Sequence, residues 1–350
     1  MGAPTRPGYA PRSTAIGGRP WHGGGVVPRL PAASICALVV LVLALSACTS
    51  GENPSASPSP SSSPPTTSPT ASPTASAPEP APVSAGPDAA AVFETVRELA
   101  DLGPREATSP QFLAAVQIVS DRLAALGYEV TEQEFRVPAG ESWGVAVGAG
   151  RTRNVVARLP GASPDGAASV VVGAHLDTVP QAPGAEDNAS GVGVVLELAR
   201  LAAGSGTARP VTFVLFGAEE PRGPGDDEHH FGSQEYVRRI EAGTELPPVA
   251  MVSLDRVGTG GTVPVCTGGL SPRRVQRELM AAAERLGVPA RACENRTSDH
   301  WPFEKAGETV ARLGGNDYAA YHSAYDLPRV LSRRQLDRVA RVMWEWLQSG

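Results

Sequence analysis

Seven acids and histidines of this 350-residue chain, of types that bind metal ions or move protons, stand in a regular arrangement. His175 and Asp177 follow directly on the apolar run ASVVVGA. Glu219 and Glu220 close VTFVLFGAEE, and Asp255 closes AMVSLD. Asp187 opens DNASG ahead of a helical stretch, and His322 sits with Tyr321 and Asp326 in NDYAAYHSAYD. Taken singly, each has an ordinary reading: a histidine beside a strand is usually a hydrogen-bonded residue, a Glu-Glu pair a solvated turn, a terminal Asp a cap. Taken together they read differently. Several acids delivered to one edge repel one another unless positive charge sits among them. Two imidazoles with three or four carboxylates form the mixed N/O donor set that divalent zinc takes.

The elements that must position these groups alternate between helix and strand from about residue 88. AAAVFETVRELADLG has helical apolar spacing and stops at Gly103-Pro104. SPQFLAAVQIVSDRLAALG is a second amphipathic helix, with Ser109 as N-cap, Pro110 in the first turn and Gly127 closing it. YEVTEQEFRV alternates as a half-buried strand does, and RNVVARLPG, ASVVVGAHLD, RPVTFVLFGAEE and PVAMVSLDRVG are further strands. The last three are continuously apolar, as strands covered on both faces are. GVGVVLELARLAAG, SPRRVQRELMAAAERLG and SRRQLDRVARVMWEWLQSG are helices. The expected fold is α/β, a three-layer sandwich with a central mixed, mostly parallel sheet flanked by helices. In such sheets ligands bind beyond the carboxyl ends of the strands, where the acids and histidines fall. There is no internal repeat and no sign of a second folded domain.

These residues resemble the co-catalytic dizinc aminopeptidases, a group that includes glutamate carboxypeptidases and glutaminyl cyclase-like proteins. The motifs HLD, DNASG, EE, SLD and YHSAYD stand in that family's order, and the likeness covers roughly residues 88–349. The resemblance implies two zinc ions, one held by His175 and Asp255, the other by Glu220 and His322, with Asp187 bridging. It implies that Asp177 orients His175, that Glu219 is the general base and acid, and that Tyr321 donates a hydrogen bond in the transition state. The peptide after the bridging Asp187 is often cis in this family, and Glu186 is expected to be a solvated neighbour. The implied reaction is removal of N-terminal residues from peptides by metal-activated water.

The chain departs from the family pattern in several places. Arg256 stands where Met is common, and PRGPGDDEHH (221–230) replaces a short apolar turn; it is expected to be a flexible rim loop, with His229 and His230 outside the ligand set. HSAYD replaces the commoner HTPxD, but Asp326 remains to orient His322. SDHWPF, with Asp299 and His300, matches a motif near the substrate pocket. A related family carrying a separate dimerisation lid is excluded, because only 66 residues lie between Asp255 and His322. The alternatives kept open are a glutaminyl cyclase-like or carboxypeptidase-type relative and a non-catalytic metal-binding lipoprotein.

The N-terminal part has a different character. Residues 1–48 carry four arginines, no acid, and then AASICALVVLVLALSAC, the order of an export signal. That apolar run is short for a membrane span of about 20 residues. Its end, Leu45-Ser46-Ala47-Cys48, resembles a bacterial lipobox, in which Cys48 would be lipidated; the other reading is an ordinary signal peptide or an uncleaved anchor. Residues 49–87 are Ser, Pro, Thr and Ala with few large apolar side chains, an extended tether reaching on the order of 100 Å. The peptidase-like domain is then 88–350. All 36 acids follow Cys48 and four of the 30 basic residues precede it, a balance that argues against a nucleic-acid partner. Cys266 and Cys293 remain, and in an exported domain such a pair is expected to form a disulfide rather than stay as two thiols. The expectation is a monomer acting on peptides, held through a lipid anchor at the outer face of the cell membrane, or secreted.

Overall fold

The computed structural model describes residues 86–161 and 169–349. The expected export signal, Cys48 and nearly all of the tether lie outside the described residues. No helix among those described is long and apolar enough to cross a membrane.

The chain enters through α1 (Ala89–Asp101), capped by the Asp88 side chain, and α2 (Pro110–Ala125), capped by Ser109. Strands β1 (Glu129–Val137) and β4 (Gly150–Arg158) pair antiparallel, and a small hairpin of β2 (Gly140–Ser142) and β3 (Val145–Val147) projects between them. Then follow β5 (Val170–His175), α3 (Ser190–Ser205), β6 (Val211–Phe216), α4 (Phe231–Glu241) and β7 (Ala250–Asp255). The C-terminal part adds β8 (Val263–Thr267), α5 (Arg274–Arg285), β9 (Ala290–Glu294), α6 (His300–Lys305), β10 (Val310–Gly314) and α7 (Arg333–Gln348).

Eight strands form one mixed sheet in the order β1-β4-β6-β5-β7-β10-β8-β9. Its centre, β6-β5-β7-β10, is parallel, as is the pair β8-β9; β1-β4, β4-β6 and β10-β8 are antiparallel. The period-2 pleat sorts the apolar strands between two cores. Val170, Val172 and Ala174 of β5 join Phe213, Leu215, Val252 and Leu254 under α1, α2, α3, α5 and α7. Val171, Val214, Phe216 and Met251 face the other way, against Tyr236 of α4 and Phe303 of α6. This is the expected three-layer sandwich, and every residue of β5, β6 and β7 is buried.

Seven elements were not foreseen: the two hairpin strands β2 and β3, the strands β8, β9 and β10, and the helices α4 and α6. The three late strands are five residues each. VPVCT holds a proline, ARACE has no apolar alternation, and VARLG carries a central arginine, so none reads as a strand in isolation.

Cys266 and Cys293 form a disulfide joining the neighbouring parallel strands β8 and β9, where the two residues are register partners. Replacing both by alanine removes a cross-link spanning 27 residues. The unfolding free energy should fall by about 3.5 kcal/mol on the chain-entropy account. Denaturant titration of the oxidised protein checks this, and wild type unfolded with reductant present should match the double variant.

Candidate metal centre

Parallel strands running the same way deliver their C-terminal ends to one edge, and six of the predicted groups meet there. His175 is the last residue of β5, Asp255 the last of β7, and Glu219 and Glu220 lie three and four residues beyond β6. Asp187 sits in the turn that opens α3, and His322 in the loop after β10.

Asp187 is the geometric centre. Its Oδ1 lies 3.2 Å from His175 Nε2, and its Oδ2 lies 3.1 Å from His322 Nε2. His175 Nε2 is also 3.8 Å from Asp255 Oδ1, and His322 Nε2 is 3.6 Å from Glu220 Oε1. Two sets result, His175–Asp187–Asp255 and Asp187–Glu220–His322, each with its donor atoms within 4.8 Å of one another and sharing one carboxylate. A third grouping, His175–Glu219–Glu220, overlaps them. The sets fit a divalent cation by an independent sign: Glu220 Oε1 and Asp255 Oδ1 are buried without a hydrogen-bond partner. Burial and the charges of Asp187 and Glu219 push the Glu220 carboxyl well above its ordinary range. His175 is raised too; burial alone would lower it, but the surrounding carboxylates outweigh that. A buried, electron-rich cluster with donors left over is what a cation relieves.

Each donor is held by a group behind it. His175 Nδ1–H donates to the Asp177 carbonyl at 3.1 Å, which leaves Nε2 as the nitrogen facing Asp187. The Asp177 carboxylate has a different duty from the one expected. It is 3.7 Å from His175 Nδ1 and instead accepts the backbone N–H groups of Glu219 (3.0 Å) and Glu220 (3.1 Å), fixing the turn that presents both. Asp326 likewise does not bond His322. It accepts the N–H groups of Glu186 and Asp187 and the Tyr318 hydroxyl, so it positions the central carboxylate. His322 is clamped by rings: Tyr321 stacks on it at 3.6 Å, and Trp143 meets it edge-on at 4.3 Å. The Asp187–Asn188 peptide is cis, as in the family it resembles.

Two buried arginines of the site carried no sequence signal. Arg312, fully buried on β10, pairs with Asp255 Oδ2 at 3.0 Å, so Asp255 presents only Oδ1 to the centre. Burial alone would raise Asp255, but that ion pair, together with His175 and Arg256, outweighs it and holds Asp255 well below the ordinary carboxylate range. Arg105, also buried, donates to the carbonyls of Leu99, Leu176, Pro183 and Gly184 and fastens the loop between His175 and Asp187. Glu186 is not solvated, contrary to expectation. It is buried and accepts from Gly258 N, Thr259 N and Thr259 Oγ1, pinning the turn after β7. Burial pushes it up to about 8 against the pull of these donors. Arg256 lies over the Tyr321 ring, 4.5 Å from its centroid, with Nε 3.6 Å from Asp255 Oδ1.

The segment 221–230 is a fastened rim, not a free loop. Arg222 is buried and donates to the carbonyls of Pro138 and Gly148 on either side of the β2-β3 hairpin, and pairs with Glu106. Asp226 accepts from Trp301 Nε1 and from Lys305. His230 is buried, with Nε2 3.4 Å from Glu219 Oε1. His300, by contrast, only holds the Asn295 carbonyl, while Asp299 is fully buried and raised to about 7 by burial and by Glu219. Between rim, hairpin tip and donors lies a cavity of ≈ 470 Å³ lined by Trp143, Glu219, His229, Arg296 and Tyr321 among others.

Residues 154–347 match the model of peptidase family M28. The aminopeptidase YwaD of Bacillus subtilis is 31% identical over 180 residues, covering 48% of this chain and 38% of that protein. The zinc aminopeptidase BSAP of Bacillus subtilis superposes with a TM-score of 0.64 at 18% identity, covering 75% of this chain and 96% of that one. A glutaminyl cyclase of Bacteroides thetaiotaomicron superposes with a TM-score of 0.65 at 20% identity, covering 75% and 98%. The chain spans about half or less of the length of the curated relatives it matches.

Arg312→Leu should leave Asp255 buried without its counter-charge. In the chelated protein the unfolding free energy should drop by about 3–5 kcal/mol. Adding Asp255→Asn should recover part of the loss, because the uncompensated charge is gone. Urea titrations of the two variants test this, and equal stability of Arg312→Leu and wild type would refute it.

Proposed function

The chain belongs to peptidase family M28, and from that premise we propose that it is a dizinc aminopeptidase that releases N-terminal residues from peptides. The observation that carries this reading is the Asp187 carboxylate, one oxygen facing His175 and Asp255 and the other facing His322 and Glu220. One carboxylate shared by two complete donor sets is the arrangement that a pair of ions requires. Zinc held there would supply Lewis acidity and bring a water molecule's pKa toward neutrality.

The chain's own residues supply the rest. Glu219 lies at the cavity wall beside both donor sets, with Oε2 4.0 Å from His175 Nε2. In this reading its carboxylate takes a proton from water as the water oxygen bonds to the peptide carbonyl carbon. It then passes that proton to the amine nitrogen as the C–N bond breaks. Tyr321, stacked on His322 and partly exposed to the cavity, is the donor proposed for the developing oxyanion. The acid-rich wall favours a substrate's free α-ammonium group. It also confines attack to the chain end, since Trp143 and the rim close around the site. The cyclase-type alternative needs a single ion, and the second complete donor set argues for two. Export and a lipid anchor at Cys48 belong to the same proposal and rest on the N-terminal sequence.

Three results are expected with the purified protein. It should cleave aminoacyl-nitroanilides, stop on chelation, and regain turnover with zinc. Glu219→Gln should lower kcat by at least about 100-fold while keeping the wild-type zinc content. Loss of zinc in that variant would instead make Glu219 a ligand. An N-acetylated peptide should resist cleavage; if it is cut and the free peptide is not, the enzyme is a carboxypeptidase-type relative. Ammonia release from N-terminal glutamine without peptide cleavage would mean a cyclase. For the anchor, Cys48→Ala expressed in a lipoprotein-processing host should move from the membrane fraction to the soluble one.

A further inference from the structure

The segment 221–230 places one residue against the proton-transfer group itself. His230 is buried, and its Nε2 lies 3.4 Å from Glu219 Oε1. Its backbone is tied to the same turn: His230 N–H donates to the Glu219 carbonyl at 2.8 Å, and Phe231 N–H to the Ala218 carbonyl at 2.8 Å. The residue adopts a left-handed conformation, φ 57°, as does Ala218, φ 56°, in the Glu219 turn. A non-glycine residue in that region costs roughly 1–3 kcal/mol and persists only where its surroundings enforce it. Here the enforced conformation aims the imidazole at Glu219. Ser233 Oγ holds the His230 carbonyl at 3.1 Å, and His230 Nδ1 is buried without a partner. Nothing else in the hydrogen-bonding of this ring accounts for its burial.

We propose that His230 is a positioning residue that holds Glu219 by Oε1, so that Oε2 is the oxygen left to face the reacting water. The inference rests on the aminopeptidase reading of the same site. A glutamate has three freely rotating side-chain torsions, and ordering it is entropically costly. A catalytic carboxylate with both oxygens free samples several orientations, few of which are reactive. Anchoring one oxygen against a rigid, buried ring preselects the geometry before substrate arrives. The contact is longer than a strong hydrogen bond, as such contacts often are before substrate closes the site. His230 falls in none of the donor groups that could hold a metal, which separates its role from that of a ligand. His229 is set apart as well: its Nε2 contacts the Gly223 carbonyl at 3.1 Å, so it braces the rim.

The test compares His230→Leu and His230→Gln in the zinc-loaded protein. Leucine keeps the bulk and removes the polar contact, and should lower kcat on the order of 10- to 100-fold with KM within about threefold and zinc content unchanged. Glutamine, whose amide nitrogen reaches the Nε2 position, should recover most of that loss. A rise in KM with kcat intact would overturn the proposal and make His230 a substrate-wall residue. Loss of zinc in parallel with activity would overturn it as well, as would full activity of His230→Leu. A second arm needs no turnover: thermal midpoints of wild type, Glu219→Gln, His230→Leu and the double variant. Non-additive shifts support the pair and additive shifts refute it. If wild type cleaves no aminoacyl substrate, the aminopeptidase reading fails while this second arm still decides whether His230 and Glu219 are coupled.

Discussion

Repulsion among buried carboxylates is the constraint on which this structure turns. Asp177, Asp187, Glu219, Glu220 and Asp255 are all buried at one edge of the sheet. Such a set is unstable unless its charge is met, and the fold meets it in two ways. Some oxygens are satisfied by the protein: both of Asp177 by backbone N–H groups, and Oδ2 of Asp255 by Arg312. Others, such as Glu220 Oε1 and Asp255 Oδ1, are left facing the gap between the two histidines. This division is what makes the cluster a candidate cation site and not merely a buried salt-bridge network. Donors already neutralised by protein serve as fixtures, and in the proposed reading the donors left over would serve as ligands.

The parallel centre of the sheet follows from the same need. β6, β5, β7 and β10 run in one direction, so their C-terminal ends can converge. The supporting backbone is contorted around them. Trp143, Ala218, His230, Arg256 and His322 all have positive φ, and each adjoins or belongs to the site. Outside glycine such conformations are uncommon. Their clustering fits a site whose side chains are aimed by the backbone, with stability drawn from the two apolar cores beneath.

Much of this was legible in the sequence because the site sits at the ends of strongly apolar strands. The runs before His175, Glu219 and Asp255 announce β5, β6 and β7, and the ligand types follow at once. The resemblance supplied the pairing of donors. What the sequence hid were contacts made across large separations. Arg312 looks like a solvent-facing residue in VARLG, and only the packing of β10 against β7 shows that it meets Asp255. Glu186 looks solvated beside Asp187 until the turn after β7 closes over it. Asp177 and Asp326 were correctly drawn to the site; Asp177 does hold His175, though through its carbonyl, while Asp326 holds the backbone of Asp187 and not His322. A motif fixes which residue is near, and the identity of the nearest N–H or ring depends on the turn that carries it.

The segment 221–230 shows how a departure from a family pattern becomes architecture. A ten-residue run rich in Gly, Pro and acids has the composition of a free loop. Here its charges are spent on fastening. Arg222 ties it to the hairpin that bears Trp143, Asp226 ties it to Trp301 and Lys305 of α6, and Glu228 folds back on Gly225. Three separate elements are thereby bound into one wall, opposite the donor sets. Trp143 and Gly144 at the hairpin tip both have positive φ, the signature of a tight two-residue hairpin turn, so the indole is held over His322 by its own backbone. The donors that define the chemistry and the wall that defines the cavity therefore come from different parts of the chain. Motifs at strand ends set the first. The second is set by a segment whose composition alone would have placed it in solvent.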